Sequence, residues 1–293
     1  MTAFPTVTLN DGNKYPVLGF GTGSALYQKD ASDLVVSALE SGFVSLDTAE
    51  VYANTDSVGD ALKRWGGKRE DVYILTKWGK SQPGSDVNEP RKVLEGLLKE
   101  LGTDYVDLYL IHFPKVTDRP LADTWKVFEQ IKRDGLARSI GVSNFAAEKI
   151  EELAQTWEIP AAVNQIEYSP YIYHSKQIER LAAVQKKYDV KFQAYGPLSS
   201  LSRSPGGPLD PVVKKIAEKH NATEAQVLLK WAQQFGGGTV VTTSRNVPRQ
   251  KEYVEAFTKL EPLTDAEVNE IAEAGKGRFF RQFLQNIWDE AEQ

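Results

Sequence analysis

The sequence predicts an α/β fold, a closed (β/α)8 TIM barrel with an N-terminal β-hairpin and extra helices near the C-terminus. Three observations carry this. Eight short β-branched or apolar runs begin near Leu18, Ser45, Val72, Val106, Arg138, Ala162, Val190 and Thr239. Segments of helical periodicity separate them, for example Ala31 to Leu39 and Pro90 to Leu98. Successive runs start 24 to 34 residues apart, with 49 in the last step, against roughly 30 residues for a βαβ unit.

Taken in order, Thr6 to Leu9 and Lys14 to Val17 flank Asn10-Asp11-Gly12-Asn13, whose Asp-Gly pair signals a hairpin turn. Gly19-Phe20-Gly21-Thr22-Gly23-Ser24 follows. In either register it lacks the third glycine of a dinucleotide fingerprint, so it reads as a tight turn whose backbone something approaches closely. The rival fold, an open doubly wound sheet, would need that fingerprint after its first strand. The long seventh step holds two helices, Pro211 to His220 and Thr223 to Phe235, the second opened by the capping box Thr223-x-x-Gln226. Beyond the eighth run come Pro248 to Phe257 and then Thr264 to Ala274, again with a capping box, Thr264-x-x-Glu267. The Pro- and Gly-rich stretch from Ser199 to Pro211 lies between a strand and its helix and reads as a long surface loop, not a linker. Residues 1–293 are therefore expected to form one domain. The tail from Arg278 to Phe283 is unusually aromatic.

Composition narrows the class of partner. With 41% apolar and 26% charged residues the chain can bury a sizeable core. Its net charge of −5 is spread without a basic block, which disfavours nucleic acid and anionic membranes. The absence of cysteine excludes disulfides, thiolate metal sites and cysteine nucleophiles. None of the three histidines, His112, His174 and His220, has another at helical ligand spacing, so no metal is expected. The start lacks a signal-peptide pattern and no run approaches a membrane span. A cytoplasmic protein with a small-molecule substrate is expected, as a monomer or weak homodimer.

Active residues of a barrel come from the carboxyl ends of several strands. Here Ser45-Leu46-Asp47 leads into Tyr52, Ile74-Leu75-Thr76 ends in Lys77, and Leu108-Tyr109-Leu110-Ile111 ends in His112. Singly, Lys77 could snorkel, His112 could fill a core and Asp47 could cap a helix. Together they compose a proton donor. A phenol becomes a usable acid when a neighbouring ammonium stabilises its phenolate. Lys77 is that cation, Asp47 holds it charged and placed, and a neutral His112 orients a carbonyl beside the Tyr52 hydroxyl.

Gly42-Phe43-Val44-Ser45-Leu46-Asp47-Thr48-Ala49 with Tyr52 and Gly59, then Thr76-Lys77, His112-x-Pro114 and Gly141-Val142-Ser143-Asn144-Phe145, resemble the motifs of the aldo-keto reductases. The resemblance runs from the hairpin to about residue 275. It implies NADPH-dependent reduction of aldehydes and ketones, α-keto carbonyls and diketones included, with Tyr52 as general acid and NADH as the less favoured cofactor. By the same resemblance Ser143, Asn144 and Gln165 bind the carboxamide and Tyr195 stacks under the nicotinamide. The loop from Gly196 to Ser200, with Leu198 and Ser199, passes the pyrophosphate.

Val241 to Glu252 is similar to the family's adenosine-phosphate segment, bringing Ser244, Arg245, Arg249 and Glu252 to the cofactor. It departs at Thr243, where many relatives carry lysine, and at Tyr253, which replaces a usual asparagine. Arg245 and Arg249 offer two guanidinium forks for a 2′-phosphate. The Thr-Thr-Ser-Arg string is similar to a fungal subgroup, the conjugated polyketone and α-keto amide reductases. Other departures are Val44 for a common arginine, Thr55 for a common glutamate, and a first loop without the tryptophan of many members. The expected substrate lining is Tyr27, Trp78 and Phe113, joined by the aromatic tail. Two further readings stay open, a cofactor-sensing regulatory subunit with negligible turnover and an aldose or sugar reductase of the same fold.

Overall fold

Eight parallel strands close into a barrel in this computed structural model, which describes residues 4–79, 89–117, 119–285 and 288. The barrel strands are β3 (Leu18–Gly21), β4 (Ser45–Asp47), β5 (Tyr73–Trp78), β6 (Val106–Ile111), β7 (Ala137–Ser143), β8 (Val163–Glu167), β9 (Lys191–Tyr195) and β10 (Thr239–Thr242). They pair in sequence order, and β10 closes the ring by pairing with β3 at Val241↔Gly19 and with β9 at Val240↔Ala194. Most are buried along their length because helices cover the outside and side chains fill the inside, which is why they read as apolar runs.

The opening hairpin pairs β1 (Thr6–Thr8) with β2 (Lys14–Pro16). Its turn uses Gly12 at φ +85, a conformation that costs glycine little. The hairpin covers the amino-terminal end of the barrel. Asn10 Nδ2 donates to the Ala161 carbonyl, and Asn13 Nδ2 donates to Ser139 Oγ. Above it, Leu9 and Tyr15 join Leu75, Leu108, Leu110, Ala162 and Val163 in a small core inside the barrel.

The outer layer comprises α1 (Ser32–Glu40), α2 (Thr55–Trp65), α3 (Pro90–Leu101), α4 (Leu121–Arg133), α5 (Ala147–Ala154) and α6 (Lys176–Tyr188). It continues with α7 (Ser199–Ser202), α8 (Leu209–Lys219), α9 (Glu224–Gly236), α10 (Val247–Thr258) and α11 (Asp265–Gly275). Both expected capping boxes form, at Thr223 with Gln226 and at Thr264 with Glu267. The stretch expected to be a surface loop differs from that reading. Its first residues wind into α7 with Ser199 and Ser200 buried, and α8 starts at Leu209 because Pro211 is tolerated in a first helical turn. The remaining loop is tied to the tail by Arg278, whose guanidinium donates to the carbonyls of Ser204, Pro205 and Gly206.

Among the described residues no helix is long and apolar enough to cross a membrane, and no His/Cys/Asp/Glu group could hold a metal ion.

Candidate active site

Side chains alternate across a strand, so Leu75 and Lys77 share the inner face of β5, as Leu108 and Leu110 share that of β6. Lys77 and His112 continue those inner rows one step beyond the apolar core, at the carboxyl end, where Asp47 ends β4. Tyr52 ends a short 3-10 turn, Glu50–Tyr52, that follows β4 and is terminated by Ala53 in the left-handed conformation. Asn54 fastens this turn to the loop after β3, its Nδ2 donating to the carbonyls of Thr22 and Leu26 at 2.9 Å each. That loop carries Gly23. A Cβ there would lie 2.8 Å from Tyr52 Cζ, so it is the phenol ring that presses on the glycine-rich turn.

Lys77 Nζ lies 2.5 Å from Asp47 Oδ1, and donates to the Thr48 carbonyl at 3.0 Å and to Tyr52 Oη at 3.3 Å. The other Asp47 oxygen accepts from Gln165 Nε2 at 2.6 Å. The His112 ring stands edge-on to Tyr52, with centroids 5.7 Å apart, and stacks on Phe113. Burial pushes the Tyr52 phenol well above its ordinary value, and the Asp47 charge adds to this. Burial also draws Lys77 down against the opposing pull of Asp47. Burial and then the Lys77 charge push His112 well below its ordinary value, so its imidazole is neutral at pH 7. At rest, with burial and the Asp47 charge holding its pKa up, the Tyr52 phenol keeps its proton beside the Lys77 ammonium.

A cleft of about 1250 Å³ opens over these groups. Tyr52, His112, Asn144 and Gln165 line it beside Tyr27 and Phe113; Tyr195, Leu198 and Ser199 continue it along the end of β9. Beyond them it reaches Ser244, Arg245 and Arg249. Asn144 has φ 62, a left-handed position that asparagine tolerates better than most residues. It ties the neighbourhood together, since Nδ2 donates to the His112 carbonyl at 3.0 Å while Oδ1 accepts from the Tyr195 hydroxyl at 2.9 Å. Ser199 Oγ and Thr243 Oγ1 are buried without a protein partner, and both residues line the cleft near Arg203, Arg245 and Arg249. Orphan hydroxyls among guanidinium groups suit an extended phosphorylated ligand.

Three expected site residues lie elsewhere. Trp78 follows Lys77 and so faces outward, buried against Phe128 of α4. Glu252, one full turn into α10, is not among the cleft-lining residues, and its carbonyl accepts from Gln226. The Ser143 hydroxyl donates to the Gln165 carbonyl and is fully buried behind the cleft. At the start of α10, Asn246 Oδ1 accepts from the Arg249 N–H, so the protein itself uses part of that helix terminus. Of the tail aromatics, Phe279 is exposed and Trp288 is buried, whereas Phe283 reaches the cleft with Gln282 and Leu284. Sequence reasoning passed over Glu167 and Arg203, and it saw Gly23 only as part of a tight turn that something approaches closely. A carboxylate that closes a barrel strand, as Asp47 closes β4, also marks Glu167.

The sequence profile described as the aldo/keto reductase family matches residues 17–276. The NAD/NADP-dependent indole-3-acetaldehyde reductase of Schizosaccharomyces pombe is 35% identical, covering 94% of this chain and 97% of its own. The NADPH-dependent alpha-keto amide reductase of Saccharomyces cerevisiae is 33% identical, covering 92% and 90%. Among solved structures, the Bombyx mori aldo-keto reductase in complex with NADP superposes with a TM-score of 0.84 at 29% identity, covering 99% of this chain and 98% of that one.

Proposed function

The chain belongs to the aldo/keto reductase family, and from that premise we propose that it reduces aldehydes and ketones, α-keto carbonyls and diketones among them, to alcohols with NADPH. The observation that carries this reading is a protonated phenol, Tyr52, 3.3 Å from the ammonium of a buried Lys77–Asp47 pair and beside a neutral His112.

NADPH, when bound, supplies a hydride to the carbonyl carbon. Tyr52 hydrogen-bonds the carbonyl oxygen and passes its proton there as negative charge gathers. Lys77 then faces the phenolate left behind, and Asp47 keeps Lys77 protonated despite its burial. The neutral His112 orients the oxygen without adding a second positive charge beside Lys77. Asn144 and Gln165 would hold the carboxamide, with Ser143 steadying the Gln165 backbone, and Tyr195 would offer its ring to the nicotinamide. Leu198 and Ser199 would pass the pyrophosphate, while Ser244, Arg245 and Arg249 would take the 2′-phosphate. The names of the two yeast relatives support both the cofactor and the carbonyl chemistry.

Tyr52→Phe tests the proposal. At saturating NADPH, turnover of an aldehyde and a diketone should fall by about 10²- to 10⁴-fold, the usual worth of a general acid. NADPH affinity should stay within about twofold, since the phenol acts on the oxyanion. Near-normal turnover in the variant would remove Tyr52 as the acid. A wild-type protein that binds NADPH but consumes none with any carbonyl would favour a cofactor-sensing role instead.

A further inference from the structure

Glu167 ends β8 and is fully buried, yet the proton transfer does not use it. Its two carboxylate oxygens are divided between consecutive backbone donors of the tail: the Gln282 N–H reaches Oε1 at 2.8 Å and the Phe283 N–H reaches Oε2 at 2.8 Å. Burial raises the carboxyl pKa and is opposed by these two N–H groups and by the Arg281 charge. Arg281 is itself buried, its guanidinium 4.6 Å from the Trp288 ring centroid. Immediately after the two donors, Leu284 adopts φ 55, a conformation that a branched side chain takes only where its surroundings impose it.

The strap held in this way faces the reaction. Gln282, Phe283 and Leu284 line the cleft, and the Phe283 ring stands edge-on to Tyr195 at 5.8 Å. Tyr195 is also the register partner of Glu167 in the barrel. One carboxylate thus sits between a barrel strand and the outer wall of the cleft.

We propose that Glu167 is a positioning residue that clamps the C-terminal strap onto the barrel and thereby sets the wall met by the larger substituent of a carbonyl substrate. Its substrate readout rests on the reductase reading above. Glu167→Gln would keep one acceptor but turn an amide NH2 toward a backbone N–H, losing one bond and opposing two donors. Gln282→Pro removes one donor while leaving Glu167 in place, and so tests the clamp from the strap side.

The experiment compares full-length wild type with both variants in two measurements. The first is the rate of chymotryptic cleavage after Phe283, followed by mass spectrometry. The second is the ratio of KM for benzil to KM for propanal at saturating NADPH. The clamp predicts cleavage about tenfold faster and a KM ratio raised about tenfold in each variant, the scale of one lost hydrogen bond to a charged group. Wild-type cleavage rates in both variants would overturn the clamp. Faster cleavage with an unchanged KM ratio would overturn its role in the substrate wall. If Glu167→Gln does not fold, Gln282→Pro decides alone by the same two readings. Should the wild type reduce neither carbonyl, the function proposed above fails, while the cleavage rates still decide whether Glu167 holds the strap.

Discussion

As the proposed general acid, Tyr52 must hold its proton firmly at rest and release it when an oxyanion forms. Burial and Asp47 provide the first condition by raising its pKa. Lys77 provides the second, with its ammonium 3.3 Å away and ready to face the phenolate. The remaining requirement is position, and here Gly23 matters. Because an added Cβ would come within 2.8 Å of Tyr52 Cζ and 3.1 Å of Cε2, the ring would have to shift toward the cleft. Gly23→Ala should therefore lower kcat by about 10- to 100-fold, the cost of misplacing a catalytic group by about an ångström. Steady-state kinetics with propanal checks this, and a kcat within twofold of wild type would show that the ring moves without consequence. Asp47, Lys77 and His112 of the proposed site were legible in the sequence because each stands at the end of an apolar run. Their support was not. The bond from Gln165 to Asp47 spans the barrel, and no local pattern reports which strands face each other across an interior. Trp78 was open to a better reading: once Lys77 points inward, its neighbour on the strand must point outward.

Among the elements, strands and long helices announced themselves through period and caps, whereas shorter pieces did not. Three serines and a leucine give α7 no apolar stripe, and its burial comes from tertiary contacts. Nor does the tail show a periodicity separating the exposed Phe279 from Phe283 at the cleft. The turn from β10 into α10 carries the sharpest expectation at this scale. Gln250 braces it from behind, with Nε2 donating to the Ser244 carbonyl at 3.0 Å and Oε1 accepting from Ser37 at 2.8 Å. Asn246 caps the helix, so Arg245 and Arg249 are the cations left on its cleft side. NADPH differs from NADH by a 2′-phosphate carrying nearly two charges. Removing one charge-assisted contact to it costs roughly 1.5 to 3 kcal/mol, so Arg245→Ala should weaken NADPH about 10- to 100-fold and leave NADH unchanged. Quenching of tryptophan fluorescence gives both dissociation constants. Equal losses for the two cofactors, or none, would show that Arg245 does not read the phosphate.

The whole molecule separates its tasks between the two ends of the barrel. The carboxyl end carries the cleft and its strained residues, Asn144 and Leu284. The amino end is closed by the hairpin, whose Asp11 accepts from Lys132 Nζ at 2.7 Å, Ser139 Oγ at 2.8 Å and the Asn13 N–H at 3.1 Å. Burial raises the Asp11 pKa, but Lys132, Ser139 and Asn13 outweigh it and the net shift is downward. Asp11→Ala leaves Lys132 without its carboxylate and Ser139, which is fully buried, without its acceptor. The cost should be about 1 to 3 kcal/mol, lowering Tm by roughly 2 to 8 °C. Activity below the transition should not change, because the reacting groups lie at the opposite end. The sign with pH follows from the depressed folded value. Asp11 contributes its full stability above its ordinary value of 3.8 and loses it as pH falls through the lower folded value. The Tm difference between wild type and variant should therefore be constant near neutrality and shrink on acidification below that value. Calorimetry across this range, paired with kinetics at pH 7, gives both answers. An unchanged Tm with a reduced kcat would mean that the hairpin serves the active site and not the closure of the barrel.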